Sequence, residues 1–358
     1  PERAAAGVSA CFGRAISMLV SFSRMNGICI VGYGYWGPKL VRNFLQTGGG
    51  IVAVCDENAE RLGRARKDFP GLRTYSSFDA LLADPACDAV ALATPVSTHY
   101  TLARRALEAG RHVLVEKPLT TARREADELI ALAARQQRVL MVDHTFLYHP
   151  AVRKIKALID AGDLGQLRYI DSTRINLGLF QHDVNVLWDL AVHDLSIVNY
   201  LTPERPVAVS AVATAHTAGA PENIGFIVLR YGSGMVVHLN CSWVSPVKIR
   251  HILIGGDRRM ILYNDLDANE PVKVYDSGYQ AHTDEERNRL LFDYRAGDVY
   301  SPKIPPGEAL AALARDFSGA IREGRPPVSD GRFGADVTAI LEAAQESVKR
   351  RGQEVLLA

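Results

Sequence analysis

Short apolar runs alternate with longer amphipathic stretches from Asn26 to about Asp143. Residues 28–31, 51–55, 89–93, 113–115 and 139–142 are continuous apolar runs too short for helices, as expected of parallel strands buried on both faces. Between them, residues 38–46, 59–68, 98–109 and 121–136 read as helices. Pro38 sits near the start of the first, Gly48, Gly49 and Gly50 follow its end, and Gly110 follows the third. This alternation predicts an open, doubly wound α/β sheet of the Rossmann type.

The grammar changes after Pro150. Residues 152–161 read as a helix closed by Gly162, 168–176 as a strand and 186–200 as another helix. Strand-like runs follow at 207–214, 225–231, 235–242, 247–254 and 259–263, several joined by turns such as Gly232-Ser233-Gly234 and Gly255-Gly256-Asp257. Consecutive strands with short connections predict an antiparallel sheet, and thus an α+β unit. Two helical segments, 308–322 and 334–351, end the chain on either side of Gly324-Arg325-Pro326-Pro327.

Composition narrows the classes. The 358 residues suggest two domains at about 150 residues per domain, and 47% hydrophobic with 23% charged residues is the balance of a globular protein. A net charge of +1 supplies no basic field for nucleic acid or a membrane surface, so an anionic ligand must be held locally. No apolar run reaches the roughly 18 residues of a spanning helix. Cys11, Cys29, Cys55, Cys87 and Cys241 are scattered, with no C-x-x-C pair, which fits a reducing, cytoplasmic setting. Residues 1–25, with Arg3, Arg14 and Arg24 around a short apolar stretch before Met25, read as a disordered leader; a signal peptide is the alternative.

Gly32-Tyr33-Gly34-Tyr35-Trp36-Gly37 matches G-x-G-x-x-G directly after the first strand and before the helix at Pro38. In that context Gly32 permits the turn, Gly34 admits a pyrophosphate to the backbone, and Gly37 lets helix and strand pack, while the helix N-terminus offers N–H groups to the anion. Tyr35 and Trp36 complete this cofactor loop. Asp56 ends the second strand, placed to bind the ribose hydroxyls and to repel a 2′-phosphate, which favours NAD over NADP; its other reading is a helix cap. No arginine follows at once, although Arg61 is a helical turn away. Thr94, Pro95 and His99 follow the third apolar strand run at the ligand-binding edge and are further cofactor candidates; His99 reads equally as a solvated histidine at a helix start, and Thr98 as a helix cap.

Glu116-Lys117-Pro118 lies at the same edge. A fixed ammonium there stabilises a developing alkoxide, and Glu116 either fixes the cofactor ribose or pairs with the lysine. Asp189 and His193, four apart in a predicted helix, would project from one face, so the carboxylate orients the imidazole as a general base. Taken singly, the first motif also reads as a surface turn and the second as a surface pair or cap. A metal site drawn from His182, Asp183, Asp189, His193 and Asp194 is a weaker reading; no metal is expected.

In this order and spacing, the glycine loop, Glu116-Lys117-Pro118 and Asp189-x-x-x-His193 resemble the glucose-fructose oxidoreductase and inositol dehydrogenase (Gfo/Idh/MocA) family over roughly residues 26–355. The resemblance implies a dinucleotide-binding domain at 26–146, and a substrate-binding domain at 147–358 whose open, mostly antiparallel sheet builds homo-oligomers, dimers or tetramers. It also implies that Lys117 works near the reacting carbon and that Asp189 and His193 are the acid-base pair. The stretch 183–190 is similar to members acting in nucleotide-sugar and surface-polysaccharide biosynthesis, and Arg174, Asn176, Gln181 and His182 are candidates to meet a polyhydroxylated substrate. The expected activity is NAD-dependent hydride transfer at a ring secondary alcohol of a sugar or nucleotide sugar. A cyclitol dehydrogenase and a non-catalytic NAD sensor are the alternatives.

Overall fold

A computed structural model describes residues 27–178, 184–280, 293–295 and 297–357. Residues 1–25, Gln181, His182 and Asp183 lie outside the described residues. Six strands, β1 Ile28–Val31, β2 Ile51–Cys55, β3 Arg73–Tyr75, β4 Ala89–Leu92, β5 His112–Glu116 and β6 Leu140–Asp143, form a parallel sheet in the order β3-β2-β1-β4-β5-β6. β1 shows why these runs are apolar throughout. Cys29 and Val31 enter the core on one face of the sheet, Ile28 and Ile30 the core on the other. The strand order turns back between β1 and β4, and in such sheets the crevice above that point takes the ligand.

Helices α1 Gly37–Gln46 and α2 Ala59–Asp68 follow β1 and β2, and the short α3 Phe78–Leu82 follows β3. α4 His99–Glu108 and α5 Arg123–Arg135 cover the Cys29 face through Ala103, Ala106, Leu107, Ala126 and Leu129. The opposite face is covered by α1 and by the helix Ala309–Glu323, whose Leu310, Leu313, Ala314 and Phe317 join Leu40, Val41 and Phe44. The rings of Phe44 and Phe317 meet edge to face at 6.2 Å. Chain order alone puts residues 309–323 with the second unit; their apolar stripe docks them on the first. β3 has no apolar run and is half exposed, so no pattern marked it.

The second sheet has nine strands. β7 Leu167–Leu177, β8 Pro206–Thr214, β9 Ile224–Tyr231, β10 Val236–Ser242, β11 Val244–Gly256, β12 Met260–Asn264 and β13 Val272–Tyr275 are joined at the edges by the two-residue pieces Val299–Tyr300 and Val355–Leu356. Every pairing is antiparallel except β7 with β10. α6 Pro150–Asp160, α7 Val192–Leu201 and the helix Gly331–Lys349 cover one face, sealing Ile155, Leu195, Val198, Ile340 and Leu341 against Ile170, Leu229 and Val237. The other face carries no covering helix among the described residues. On β9, buried Ile227 and Leu229 alternate with exposed Phe226 and Val228, the period of a sheet with one packed side. Among the described residues no helix is long and apolar enough to cross a membrane.

Candidate active site

Gly32 and Gly37 take the structural roles that their spacing implies. Gly32 has φ +93°, a left-handed conformation, and a side chain there would meet the Ala93 carbonyl oxygen at 2.4 Å. At Gly37 a Cβ would lie 2.2 Å from the Gly32 oxygen, so helix and turn close on each other. At Gly34 a Cβ would meet nothing within 4 Å. That open space lies at the start of α1, whose N-terminus receives no side-chain cap. Free N–H groups beside a bare glycine suit a pyrophosphate. Tyr35 and Trp36 are exposed at the rim, their rings at 5.3 Å with the Lys39 ammonium over both.

Asp56 is only 7% exposed and ties this loop to β2. Its Oδ2 accepts from the Tyr33 N–H at 2.6 Å and its Oδ1 from the Asn58 N–H at 2.8 Å. Asn58, rather than Asp56, caps α2, accepting from the N–H groups of Glu60 and Arg61. The Arg61 guanidinium, read from sequence as a turn away, reaches within 3.6 Å of the Asp56 carboxylate.

Two expectations at this edge are corrected. His99 is fully buried, with Nδ1 2.8 Å from the Pro118 carbonyl and Nε2 3.0 Å from the Thr94 carbonyl. It joins the two loops that border the crevice and is not among the residues that line the cleft. Thr98 does not cap α4; its hydroxyl oxygen lies 2.7 Å from both the Pro95 carbonyl oxygen and Thr94 Oγ1.

A cleft of ≈ 650 Å³ runs between the two units. Tyr35, Trp36, Thr94, Pro95, Glu116 and Lys117 line it from the first unit, and Asn176, Trp188, Asp189, Trp243 and Arg250 from the second. The Lys117 ammonium donates to the main-chain oxygen of Asp189 at 2.9 Å and to its Oδ1 at 3.2 Å. Asp189 Oδ2 accepts from the Trp243 indole N–H at 3.0 Å. Both carboxylate oxygens are therefore engaged, and one of the three ammonium protons is left for a substrate oxygen.

Here the pairing of Asp189 with His193 is corrected. Residues Leu187–Ala191 form a π-helical turn before α7, and the wider winding shifts the faces that an ideal i, i+4 spacing would align. Asp189 goes to Lys117 and Trp243. His193 instead meets the edge of Phe146, ring centres 5.2 Å apart, and makes no side-chain hydrogen bond among the described residues. It is half-buried. Burial, reinforced by the charges of Lys117 and Arg174, holds its pKa well below the usual histidine value, so the ring is neutral at neutral pH and can accept a proton.

Behind the cleft wall sits a buried polar layer. Arg174, expected as a substrate contact, is 3% exposed and grips Asp194 through three hydrogen bonds of 2.7–3.0 Å, with its guanidinium 4.7 Å from the Phe146 ring. Asn176 does line the cleft. Glu116 stands beside Asp143, its register partner on β6. His144 is buried with neither ring nitrogen bonded among the described residues, and burial holds it neutral down to about 3. Asp189 and Asp194 thus serve separate cations, Lys117 and Arg174.

The residues that sequence reasoning missed are Trp243, Arg250, Phe146 and Asp143. Each sits in an ordinary strand or loop pattern with no local motif. Only the pairing of β7 with β10 and β11 carries Trp243 and Arg250 to the cleft.

Residues 27–144 match the family model described as "Oxidoreductase family, NAD-binding Rossmann fold", and residues 152–262 match "GFO/IDH/MocA C-terminal domain". The chain is 32% identical over 324 residues to a UDP-N-acetylglucosamine 3-dehydrogenase of Acidithiobacillus ferrooxidans, covering 87% of this chain and 93% of that one. It is 36% identical over 309 residues to a dTDP-3,4-didehydro-2,6-dideoxy-alpha-D-glucose 3-reductase of Streptomyces violaceoruber, covering 82% and 84%. A solved structure of the Acidithiobacillus enzyme superposes with a TM-score of 0.73 at 30% identity, over 90% of this chain and 97% of that one. With a Rossmann crevice fit for NAD and a cleft joining it to the second sheet, the chain belongs to the Gfo/Idh/MocA family of NAD-dependent oxidoreductases.

Proposed function

We propose that the protein transfers a hydride between NAD and a ring secondary alcohol of a nucleotide-linked hexose, with the carbon at ring position 3 as the reacting centre. The observation that carries this reading is the meeting of Lys117 and Asp189 from opposite walls of the cleft, next to the glycine loop. The names of the two relatives support the substrate, since both specify a nucleotide sugar and position 3. The bound dinucleotide supplies a carbon that accepts or returns the hydride. Gly32, Gly34, Tyr35, Trp36, Gly37, Asp56, Thr94, Pro95 and Glu116 form its site, with His99 positioning two of the loops.

Lys117 directs its remaining N–H at the alcohol oxygen and stabilises negative charge there as the carbon–hydrogen bond weakens. Asp189, fixed by Trp243, holds the ammonium in place. The hydroxyl proton is assigned to His193, which is neutral and only half-buried. Residues 26–146 carry the cofactor, and 147–358 the substrate and subunit contacts, with 309–323 returning to the first half.

Homo-oligomers through the open sheet face are part of the same reading, supported by its exposed Val212, Phe226, Val228, Val236 and Leu253. The buried free thiols Cys29, Cys55, Cys87 and Cys241 fit a cytoplasmic site. The test is NADH formation with UDP- and dTDP-hexoses, free hexoses and inositols. A nucleotide sugar should give the highest kcat/KM. Preference for an inositol would replace the reading with a cyclitol dehydrogenase, and NAD binding without turnover of any compound with a sensor.

A further inference from the structure

Glu116 and Asp143 end neighbouring parallel strands and stand in register. Their residues are 7% and 2% exposed. The Thr145 hydroxyl donates to Asp143 Oδ1, while Asp143 Oδ2 and Glu116 Oε1 are both buried with no donor among the described residues. Two ionised carboxylates side by side, each with an oxygen cut off from water and from every N–H, repel at close range. A single proton turns that repulsion into a charge-assisted O–H···O⁻ bond.

We propose that Glu116 and Asp143 share one proton beneath the cleft floor, and that the pair releases or recovers it according to the charge that occupies the cleft. Burial pushes both groups up, Asp143 to about 6 and Glu116 well above the usual carboxyl range. The groups facing the pair are few. Lys117 follows Glu116, and His144 and Thr145 follow Asp143; His144 is neutral, and the Lys117 ammonium is tied to Asp189.

Glu116 lines the cleft, so it is the member that senses its contents. A cation entering there adds to Lys117 and draws the pair toward its doubly ionised form; a neutral occupant leaves the proton in place. The nicotinamide ring is positive in NAD and neutral in NADH, so the two redox states of one cofactor set different protonation. Oxidation of an alcohol frees one proton as the hydride cancels the ring's charge. That proton goes first to His193, and once the ring's charge is gone the Glu116–Asp143 pair takes back from solvent in the cleft the proton it lost when NAD bound.

The inference rests on the NAD-binding fold and not on the identity of the sugar, and neither test below uses a sugar. In the infrared spectrum of the protein at neutral pH, a protonated-carboxyl stretch should be present, shift with isotopically labelled glutamate, and vanish in Glu116→Gln. Absence of such a band from the unmodified protein overturns the proposal, even if no variant folds. Calorimetric titration with NAD and with NADH, each in two buffers of different ionisation enthalpy, should release more protons with NAD, by up to one per site. Asp143→Asn should erase that difference while still binding both forms. Equal proton release with the two cofactors, or an unchanged difference in Asp143→Asn, overturns it.

Discussion

Lys117 and Asp189, 72 residues apart and on opposite walls of the cleft, are joined by hydrogen bonds of 2.9 and 3.2 Å. Their side chains are only 14% and 22% exposed, so solvent screens the pair less than an ordinary surface contact. The lysine is fixed by a main-chain oxygen, the aspartate by an indole, and what remains free is one N–H at the cleft.

That arrangement makes Lys117→Ala a test of chemistry rather than binding. Turnover should fall about a hundred- to ten-thousand-fold, the range for losing a positioned acid–base or electrostatic group. NAD affinity, read by quenching of Trp fluorescence, should change little. Trp243→Phe, which keeps an aromatic ring but loses the N–H to Asp189 Oδ2, should lower kcat by a smaller factor and leave NAD affinity alone.

The three motif glycines should separate into two phenotypes. Gly34→Ala adds a methyl where nothing lies within 4 Å, so the unfolding free energy from chemical denaturation should hold to within about 0.5 kcal/mol while NAD affinity drops. Gly37→Ala drives a methyl to 2.2 Å from the Gly32 oxygen and should cost about 1–3 kcal/mol or more. Gly32→Ala should resemble Gly37→Ala. If Gly34→Ala bound NAD normally, the pyrophosphate would lie elsewhere.

Asp56 and Arg61 stand 3.6 Å apart beside the proposed cofactor loop. Asp56→Asn removes the charge that repels a 2′-phosphate and frees the guanidinium to meet one. The ratio of kcat/KM for NAD to that for NADP should fall at least about tenfold, equivalent to about 1.4 kcal/mol. Arg61→Ala in the same background should restore most of the preference.

Arg174 and Asp194 are a buried pair, so losing either partner strands a charge. Arg174→Met should destabilise folding by about 3–5 kcal/mol in urea denaturation, and the double variant Arg174→Met, Asp194→Leu should recover much of it. A small loss in the single variant would mean that water reaches Asp194.

Acid sensitivity follows from His144. The unfolded chain protonates this residue at its ordinary 6.5, whereas the folded protein refuses the proton until about 3. Stability is therefore lost as pH falls through that window, by about 1.4 kcal/mol per pH unit from this residue alone. His112, held down to about 4, acts with the same sign, and Asp143, raised to about 6, with the opposite one. His144→Leu should flatten the fall in urea midpoint between neutral pH and the acid limit; an unchanged profile would remove His144 from the account.

Local chemistry determined much of this molecule. A strand buried on both faces has to be apolar throughout, a turn at φ +93° favours glycine, and a helix covering a sheet has to carry an apolar stripe, so β1, Gly32 and α1 were legible in the residues themselves. Lys117 was legible because its motif follows a strand end. What one-dimensional spacing could not carry were relations made across the fold. A π turn at Leu187–Ala191 sent Asp189 to Lys117 instead of His193, and packing brought the helix Ala309–Glu323 back to the first sheet. Strand register set Glu116 beside Asp143, and burial took Arg174 away from solvent and gave it Asp194. Sequence spacing specifies which faces are apolar and which turns are tight; partners of charged groups are chosen by distance and dielectric, which exist only once the chain has closed on itself.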